Sequence, residues 1–201
     1  MSTKVTIISN AISQLGHKPI QTLDNGDDLT VTAEQAFDML LPSVLSMGNW
    51  RFAIQIAQLS KSVEVPPTNT RWTTIYDLPA DYLKNIRLYP HTYDYDIYEN
   101  SKIYTNWTGT VSMEYVFQPS VSKLPPYFVH YFTFEIAAYL ALSNAQKPEY
   151  YNLLETKRTQ ALAMASAIDT QNRPNFSQMT FPVLANRNSY GNGSWEINGG
   201  A

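Results

Sequence analysis

The sequence predicts an α+β protein: an antiparallel helical bundle of about four helices, a small inserted antiparallel β module and an extended C-terminal arm. Three observations predict this fold. Apolar residues recur at helical spacing near both ends of the chain, alternate with a period of two in the middle, and lose any period after Pro174. With 201 residues, the chain is long enough to bury a substantial core.

The first helix is predicted over residues 3–15. Its apolar face consists of four residues at helical spacing: Val5, Ile8, Ile12 and Leu15. Gly16 stands where a helix stops, and Pro19 prevents the helix from resuming. A turn is then expected over Asp24 to Asp27, where Asp, Asn and Gly cluster.

A second helix is predicted from Leu29 to Met47, ended by Gly48. Pro42 lies inside it, so we expect a kink or a restart there. Its apolar stripe consists of Leu29, Ala33, Ala36, Phe37, Leu40, Val44 and Met47.

The pattern changes after the second helix. Ile54, Ile56 and Phe52 fit one side of a strand, although a helical turn also fits this segment. The segment Lys61 to Thr70 is predicted to be a loop because it contains two consecutive prolines.

Antiparallel strands with one buried face are predicted between Trp72 and Phe117. Eight of the 14 tyrosines lie between Tyr76 and Tyr115, and apolar residues alternate with polar ones there. Two sets show the alternation: Tyr93, Tyr95 and Ile97, then Val111, Met113, Tyr115 and Phe117. A turn at Glu99 to Ser101 joins two of the strands.

Two further helices are predicted after the strands. Residues 126–145 are apolar nearly all round, so this helix is expected to be buried on every side. The last helix begins near Pro148, a residue suited to a first turn, and ends before Pro174. Its stripe consists of Tyr150, Leu153, Leu154, Ala161, Met164, Ala165 and Ile168.

The last segment, 174–201, has no period but keeps many large apolar residues, so we expect an extended arm that packs on something. Four parts are therefore predicted: N-terminal helices of the bundle over 1–49, the β module over 50–120, C-terminal helices over 121–173, and the arm over 174–201.

Composition excludes several classes of protein. With 14 basic and 17 acidic residues, no global positive charge drives nucleic-acid binding. The absence of cysteine excludes disulfides, thiolate nucleophiles and cysteine-ligated zinc. No run is apolar and long enough to span a membrane, and the N-terminus lacks a signal-peptide pattern, so we expect a cytosolic product.

Residues typical of catalysis are scarce, and we expect no cofactor, no metal and no enzymatic activity. The three histidines, His17, His91 and His130, lack the spacing of metal ligands. There is no glycine-rich phosphate loop and no nucleophile elbow. The one close acidic set, Asp94, Asp96 and Glu99, is interpreted as the solvent face of a strand rather than a calcium site.

The aromatic residues admit three interpretations. Cross-strand packing ranks first, burial in a protein interface second, and sugar binding third. For the third, exposed aromatic faces would stack on sugar rings; the residues that would carry it are Tyr93, Tyr95 and Trp107.

Ordered motifs resemble those of one known family. Asn49 to Ala53 resembles the W-x-F-A element of the head-to-tail adaptor proteins of short-tailed bacteriophages, also called tail tubular protein A. Further on, Ile75 to Leu83 resembles the family's strand that runs into L-P-x-D. Four later segments also resemble elements of the family: a hairpin at 98–106, a strand at 113–116 and parts of two helices at 124–145 and 157–161. The opening run of the family resembles residues 11–20. The resemblance covers residues 5–173.

The resemblance implies a structural virion protein. Such adaptors form a ring, typically of twelve copies, that joins the portal protein to a tail nozzle of the tail tubular protein B type. The ring would continue the DNA channel for packaging, retention and ejection, passing double-stranded DNA without binding it specifically. The protein would be assembled in the host cytoplasm and end in the neck of the virion.

Site residues implied by the resemblance are structural. The signature residues are Trp50, Phe52, Leu78, Pro79 and Asp81, with Trp50 and Phe52 anchoring the helix-to-β junction and Asp81 capping its turn through backbone N–H groups. Candidate docking residues of the arm, for the portal or a neighbouring copy, are Phe176, Met179, Phe181, Leu184, Tyr190 and Trp195. The alternative function is a carbohydrate- or receptor-binding module of a phage tail.

Overall fold

Helices precede and follow two antiparallel sheets along the chain in the computed structural model, which describes residues 3–23, 27–143 and 148–172. The predicted α+β class is confirmed. The helices in these ranges are α1 Lys4–Gln14, α2 Asp28–Met47, α3 Pro126–Ser143 and α4 Pro148–Gln171. The strands are β1 Ile54–Gln58, β2 Ser60–Lys61, β3 Thr74–Asp77, β4 Tyr82–Tyr89, β5 Tyr95–Tyr98, β6 Lys102–Thr105 and β7 Ser112–Phe117.

Local signals explain the ends of the first two helices. The Thr3 hydroxyl accepts the Thr6 N–H at 3.2 Å and caps α1, and Gly16 follows the helix with φ of 80°, a conformation that glycine adopts freely. Helix α2 runs without interruption through Pro42 to its cap at Gly48, so the expected restart was wrong.

The strands form two sheets, ordered β1-β7-β4 and β2-β3-β6-β5, with every neighbouring pair antiparallel. The predicted turn between β5 and β6 is present. Glu99 and Asn100 take φ of 57° and 51° there, the left-handed pair that a tight hairpin requires. Lys61, predicted to lie in a loop, pairs in the short strand β2 instead.

Two hydrophobic cores lie on opposite sides of the β1-β7-β4 sheet. Val116 on β7 packs with the helices, whereas its neighbours Met113 and Tyr115 pack with the second sheet. Val116 alternates with Met113, Tyr115 and Phe117, so a strand with one buried face would leave it exposed, but it is fully buried. Because a strand alternates its side chains between two faces, a strand that is covered on both sides must be apolar on both.

Helix α3 is the centre of the helical layer and packs against α1, α2 and α4. Its burial is nevertheless incomplete, which corrects the expectation that it is buried on every side. Its exposed side chains include Pro126, His130, Tyr139 and Leu142. His130 lies about 180° around the helix from Tyr139, so the exposed side chains do not form one continuous strip.

Several residues predicted to be buried lie at the surface. Met47 is 80% exposed, and Leu41 and Leu45 occupy the core of α2 instead. On α4 the buried side is formed by Leu154, Ala161, Ala165 and Asp169. The stripe residues left exposed are Tyr150, Leu153, Met164 and Ile168. Only the side of α4 toward α3 is covered, so part of its apolar stripe stays in solvent.

The segment after α2 differs from its predicted conformation. Phe52 lies in a 3₁₀ turn, Arg51–Ala53, rather than in a strand, and Ile56 on β1 is exposed.

Residues 24–26 of the predicted turn and all six candidate arm residues from Phe176 to Trp195 lie outside the described residues. The four domain boundaries stay predictions.

Candidate functional site

Trp50 lies where helix α2 gives way to the sheets. Gly48 ends the helix, and the Trp50 indole N–H donates to the Val44 carbonyl at 3.2 Å. The indole, 5% exposed, meets Phe128 edge-on at 5.1 Å and stacks on Tyr131 at 6.0 Å between ring centres. The chain is thereby held to α3 just before the first strand begins.

Phe52 extends this aromatic contact by one turn. It meets Phe128 at 4.9 Å and Tyr127 at 6.3 Å, both on α3. Aromatic pairs in such edge-to-face geometry contribute about 0.5–1.5 kcal/mol beyond the area that they bury. Trp50 and Phe52 therefore attach the helix-to-β junction to the helical core.

Asp81 joins three segments of the sheet instead of capping its own turn. Its carboxylate accepts the Gln55 amide at 3.1 Å and the Tyr115 hydroxyl at 2.9 Å. The Gln55 amide also donates to the Tyr115 oxygen. The turn itself is closed by the Tyr82 N–H and the Pro79 carbonyl at 3.1 Å, so the expected backbone capping by Asp81 was wrong.

Strand β1 brings the two signature motifs together. Phe52 lies two residues before its start, and Gln55 on the strand contacts Asp81. Leu78, however, packs in the core between the two sheets, on the far side from Trp50. The signature residues thus serve two cores that share one sheet.

A cleft of about 410 Å³ opens beside Trp50, between the end of α2 and helices α3 and α4. Its lining includes the aromatic residues Trp50 and Tyr131 and the apolar residues Met47 and Leu162. Its charged lining residues are Glu135, Arg158 and Asp169. The cleft has the size and the mixed apolar and polar lining of a small binding site.

Arg158 is shared between two carboxylates at this cleft. It bonds Glu135 at 3.1 Å and, through Nε at 2.8 Å, Glu155, with a second short bond to Glu155. The hydrogen bond from Arg158 lowers the pKa of Glu155, and the same bond raises the pKa of Arg158. These hydrogen bonds to Glu135 and Glu155 hold the guanidinium of Arg158 in place.

Tyr131 and Tyr127 donate their hydroxyls to carboxylates, Tyr131 to Glu135 and Tyr127 to Asp169, each at 2.8 Å. Burial raises the pKa of both phenols, and the neighbouring carboxylate raises it further. Both tyrosines therefore stay protonated and act as hydrogen-bond donors rather than as bases.

Asp169 is a buried carboxylate, 5% exposed. It accepts the Arg51 N–H at 2.9 and 3.2 Å, besides the Tyr127 hydroxyl. These donors are neutral, and within the described ranges no cation pairs with Asp169. The contact ties the end of α4 to the 3₁₀ turn that follows Trp50.

Sequence reasoning did not single out the charged residues of the cleft. A signal was present: Glu135 interrupts a helix that is otherwise apolar, and Asp169 follows the buried Ala161 and Ala165 at spacings of four. A charged residue at a core position of a helix indicates a polar contact in the interior.

Histidines and acidic residues in the described part of the chain do not form a metal site. His17, His91 and His130 are exposed, and no three His, Asp or Glu side chains there come together to hold a metal ion. Asp96 pairs with Arg71 at 3.1 Å, and Glu99 with Lys102 at 3.3 Å.

None of the described helices is long and apolar enough to cross a membrane.

Aromatic residues of the β region are partly accessible. Tyr93, 40% exposed, packs on Trp107 with 4.5 Å between ring centres. A second cleft of about 410 Å³ lies beside Tyr98 and Tyr104. Tyr95 differs, because it is half-buried and its hydroxyl accepts the Asn85 amide at 2.6 Å.

No known family model matches this chain, and no curated protein matches it.

Proposed function

We propose that this chain is a structural subunit of a head-to-tail adaptor ring of a short-tailed bacteriophage. It joins the portal protein to the tail nozzle and continues the DNA channel. The ordered motifs that resemble this family support the proposal, together with the way their residues are used: Trp50 and Phe52 attach the helix-to-β junction to α3, and Asp81 joins segments of one sheet.

The observation that carries the proposal is the presence of exposed apolar residues on two different parts of the molecule. One set lies on α4, where Leu153 and Met164 are 50% and 63% exposed. The other lies in the segment before β3, where Val63 and Val65 are exposed. A ring requires two different contact surfaces on each subunit, one for each neighbour.

Electron microscopy of the chain mixed with the portal protein of its phage tests the proposal. We expect the chain to form a ring on the portal. Leu153→Glu and Met164→Glu should prevent the ring, because a charge would enter an apolar contact, while Thr159→Glu, which lies about 120° around α4 from Leu153, should not. A wild-type chain that never joins the portal would refute the proposal.

The predicted arm is tested separately. Deletion of residues 175–201 should abolish binding to the portal if the arm docks there. Unchanged binding would remove the arm from the docking mechanism and leave the ring proposal in place.

Carbohydrate or receptor binding is the second candidate function, favoured by the exposed Tyr93 packed on the half-buried Trp107. Glycan-array binding that is lost in Tyr93→Ala and Trp107→Ala would support it. The half-buried Tyr95 is a weaker candidate. An array without signal, for a chain that still enters particles, would exclude this function.

A further inference from the structure

Strand β1 forms one edge of its sheet, and among the described residues it pairs with β7 alone. Its five residues, Ile54–Gln58, run opposite β7 without a register shift and include no charge and no proline. Ile56 on this strand is 65% exposed. The backbone N–H and C=O groups on the free side of β1 are therefore open to pairing with a further strand.

The other edge strands of the two described sheets carry features that discourage such pairing. Strand β4 has two register shifts against β7 and contains Lys84 and Arg87. Strand β2 has only two residues, one of them Lys61, and β5 contains Asp96. Charges, irregular register and short length are means by which natural sheets keep their edges unpaired. Strand β1 has none of these features, which favours an edge that another segment covers.

Helix α4 ends beside the start of β1. The Asn172 N–H donates to the Asp169 carbonyl at 3.2 Å, and the Asp169 carboxylate accepts the Arg51 N–H at 2.9 Å. Arg51 begins the 3₁₀ turn that leads directly into Ile54, the first residue of β1. Because an extended chain advances about 3.3 Å per residue, the arm that follows α4 can reach β1 within its first few residues.

The arm contains a short segment with the pattern of a strand, although the arm as a whole has no period. Met179, Phe181 and Val183 occupy every second position, and no residue from Pro174 to Asn186 is charged. Pro182 would end the pairing, because proline has no N–H to donate. Residues 177–181 thus offer a strand as long as β1.

We propose that residues 177–181 of the arm add a strand to the open edge of β1 in the same molecule. The added strand would run parallel to β1, because both begin at the same end of the sheet. Met179 and Phe181 would lie on the face that bears Ile56 and would remove its apolar surface from water. Tyr190 and Trp195 would remain as docking candidates, and the proposal concerns the single chain, so it does not rest on the ring.

Hydrogen exchange of the full chain, followed by mass spectrometry of peptides that cover β1, tests this proposal. In Met179→Asp/Phe181→Asp, two carboxylates replace the apolar contact with Ile56, so the outward amides of β1 should exchange at least about tenfold faster than in the wild type. Tyr190→Asp/Trp195→Asp, farther along the arm, is the matched control and should leave the exchange of β1 unchanged. Equal exchange in the wild type and the first variant, or equal acceleration in both variants, would overturn the proposal.

Disulfide cross-linking shows which molecule supplies the strand, since the chain has no cysteine of its own. In Ile56→Cys/Met179→Cys, oxidation should join the two residues within one chain and give a product of monomer size. Arg87→Cys/Met179→Cys, with its first cysteine on the opposite edge strand β4, is the control and should give at least about tenfold less of that product. A linked dimer in place of the monomer product would assign the strand to a second copy, and equal yields would show no preference for β1; either result would overturn the proposal.

Discussion

Single carboxylates hold distant segments of this molecule together. Asp169 near the end of α4 accepts the N–H of Arg51, more than a hundred positions earlier in the chain, and Asp81 accepts Gln55 and Tyr115 from two other strands. The buried Asp169 replaces the water that its donors lose on folding, so removing it leaves the Arg51 N–H and the Tyr127 hydroxyl without this acceptor.

The first prediction concerns Asp169. Asp169→Ala should lower the free energy of unfolding by about 2–3 kcal/mol, because the Arg51 N–H and the Tyr127 hydroxyl lose their acceptor. Asp169→Asn keeps an acceptor and should cost about 1 kcal/mol. Urea denaturation measures both changes, and an alanine variant as stable as the wild type would contradict the role assigned to Asp169.

The second prediction concerns stability at high pH. The pKa of Tyr131 is raised above its ordinary value of 10.0 by burial and by Glu135, so the folded state retains a proton that the unfolded chain loses. Its contribution to stability is complete below pH 10 and is lost as the pH rises through the folded-state pKa, at up to about 1.4 kcal/mol per pH unit.

Urea denaturation between pH 9 and about pH 11.5, above the ordinary tyrosine pKa, measures this loss. In Tyr131→Phe the free energy of unfolding should decline less steeply with pH than in the wild type. At neutral pH it should be lower by about 1 kcal/mol, because the hydrogen bond to Glu135 is lost. Tyr93→Phe, with its ring at the surface, serves as the control. Equal slopes in the wild type and Tyr131→Phe would refute the prediction.

At the scale of the elements, the junction between α2 and β1 depends on two aromatic rings. Trp50 and Phe52 pack on α3, which itself contacts each of the other helices. The sheets are therefore attached to the centre of the helical layer, not to its edge.

The third prediction tests this junction. Trp50→Ala should lower the free energy of unfolding by about 3–5 kcal/mol, because it leaves a cavity between α2 and α3. Met47→Ala, three residues earlier and 80% exposed, should change it by less than about 0.5 kcal/mol. Thermal or urea denaturation followed by circular dichroism measures both changes. A decrease of less than about 1 kcal/mol in the free energy of unfolding of Trp50→Ala would contradict the anchoring role.

At the scale of the whole molecule, strand β7 couples the two hydrophobic cores. Val116 belongs to the core beneath the helices and Met113 to the core between the sheets. A sheet that serves both cores makes it costly to unfold one without the other.

The fourth prediction follows from this coupling. Val116→Ala should lower the free energy of unfolding by about 2–3 kcal/mol through lost burial and a cavity. Helical circular dichroism and tryptophan fluorescence should report one common transition in both the wild type and the variant. Ile56→Ala, on the exposed side of β1, is the control, and two separated transitions would show that the cores unfold independently.

Patterns of spacing predicted the four helices and the antiparallel strands of the β region, but not the short strand β2. The ends of α1, α2 and α3, the turn after Tyr98 and the alternation in β7 all follow from local chemistry: a cap, a glycine, a proline or a period of two. Such signals depend on neighbours along the chain, which the sequence displays directly.

Burial was harder to predict than periodicity. Met47, Leu153 and Met164 fit apolar stripes but are exposed, whereas Val116 fits a polar face but is buried. A stripe indicates which side of an element prefers to be covered, and only the other elements decide how wide a strip they cover.

By itself, the sequence determined that this protein is α+β and that its β region lies between helical segments, while the resemblance to a phage adaptor stays a prediction. Only the tertiary structure decided that one sheet serves two cores, that Asp81 bonds across strands, and that Glu135, Arg158 and Asp169 line one cleft beside Trp50. The reason is physical: spacing along the chain encodes local conformation, whereas contacts between segments far apart in the sequence depend on how whole elements pack.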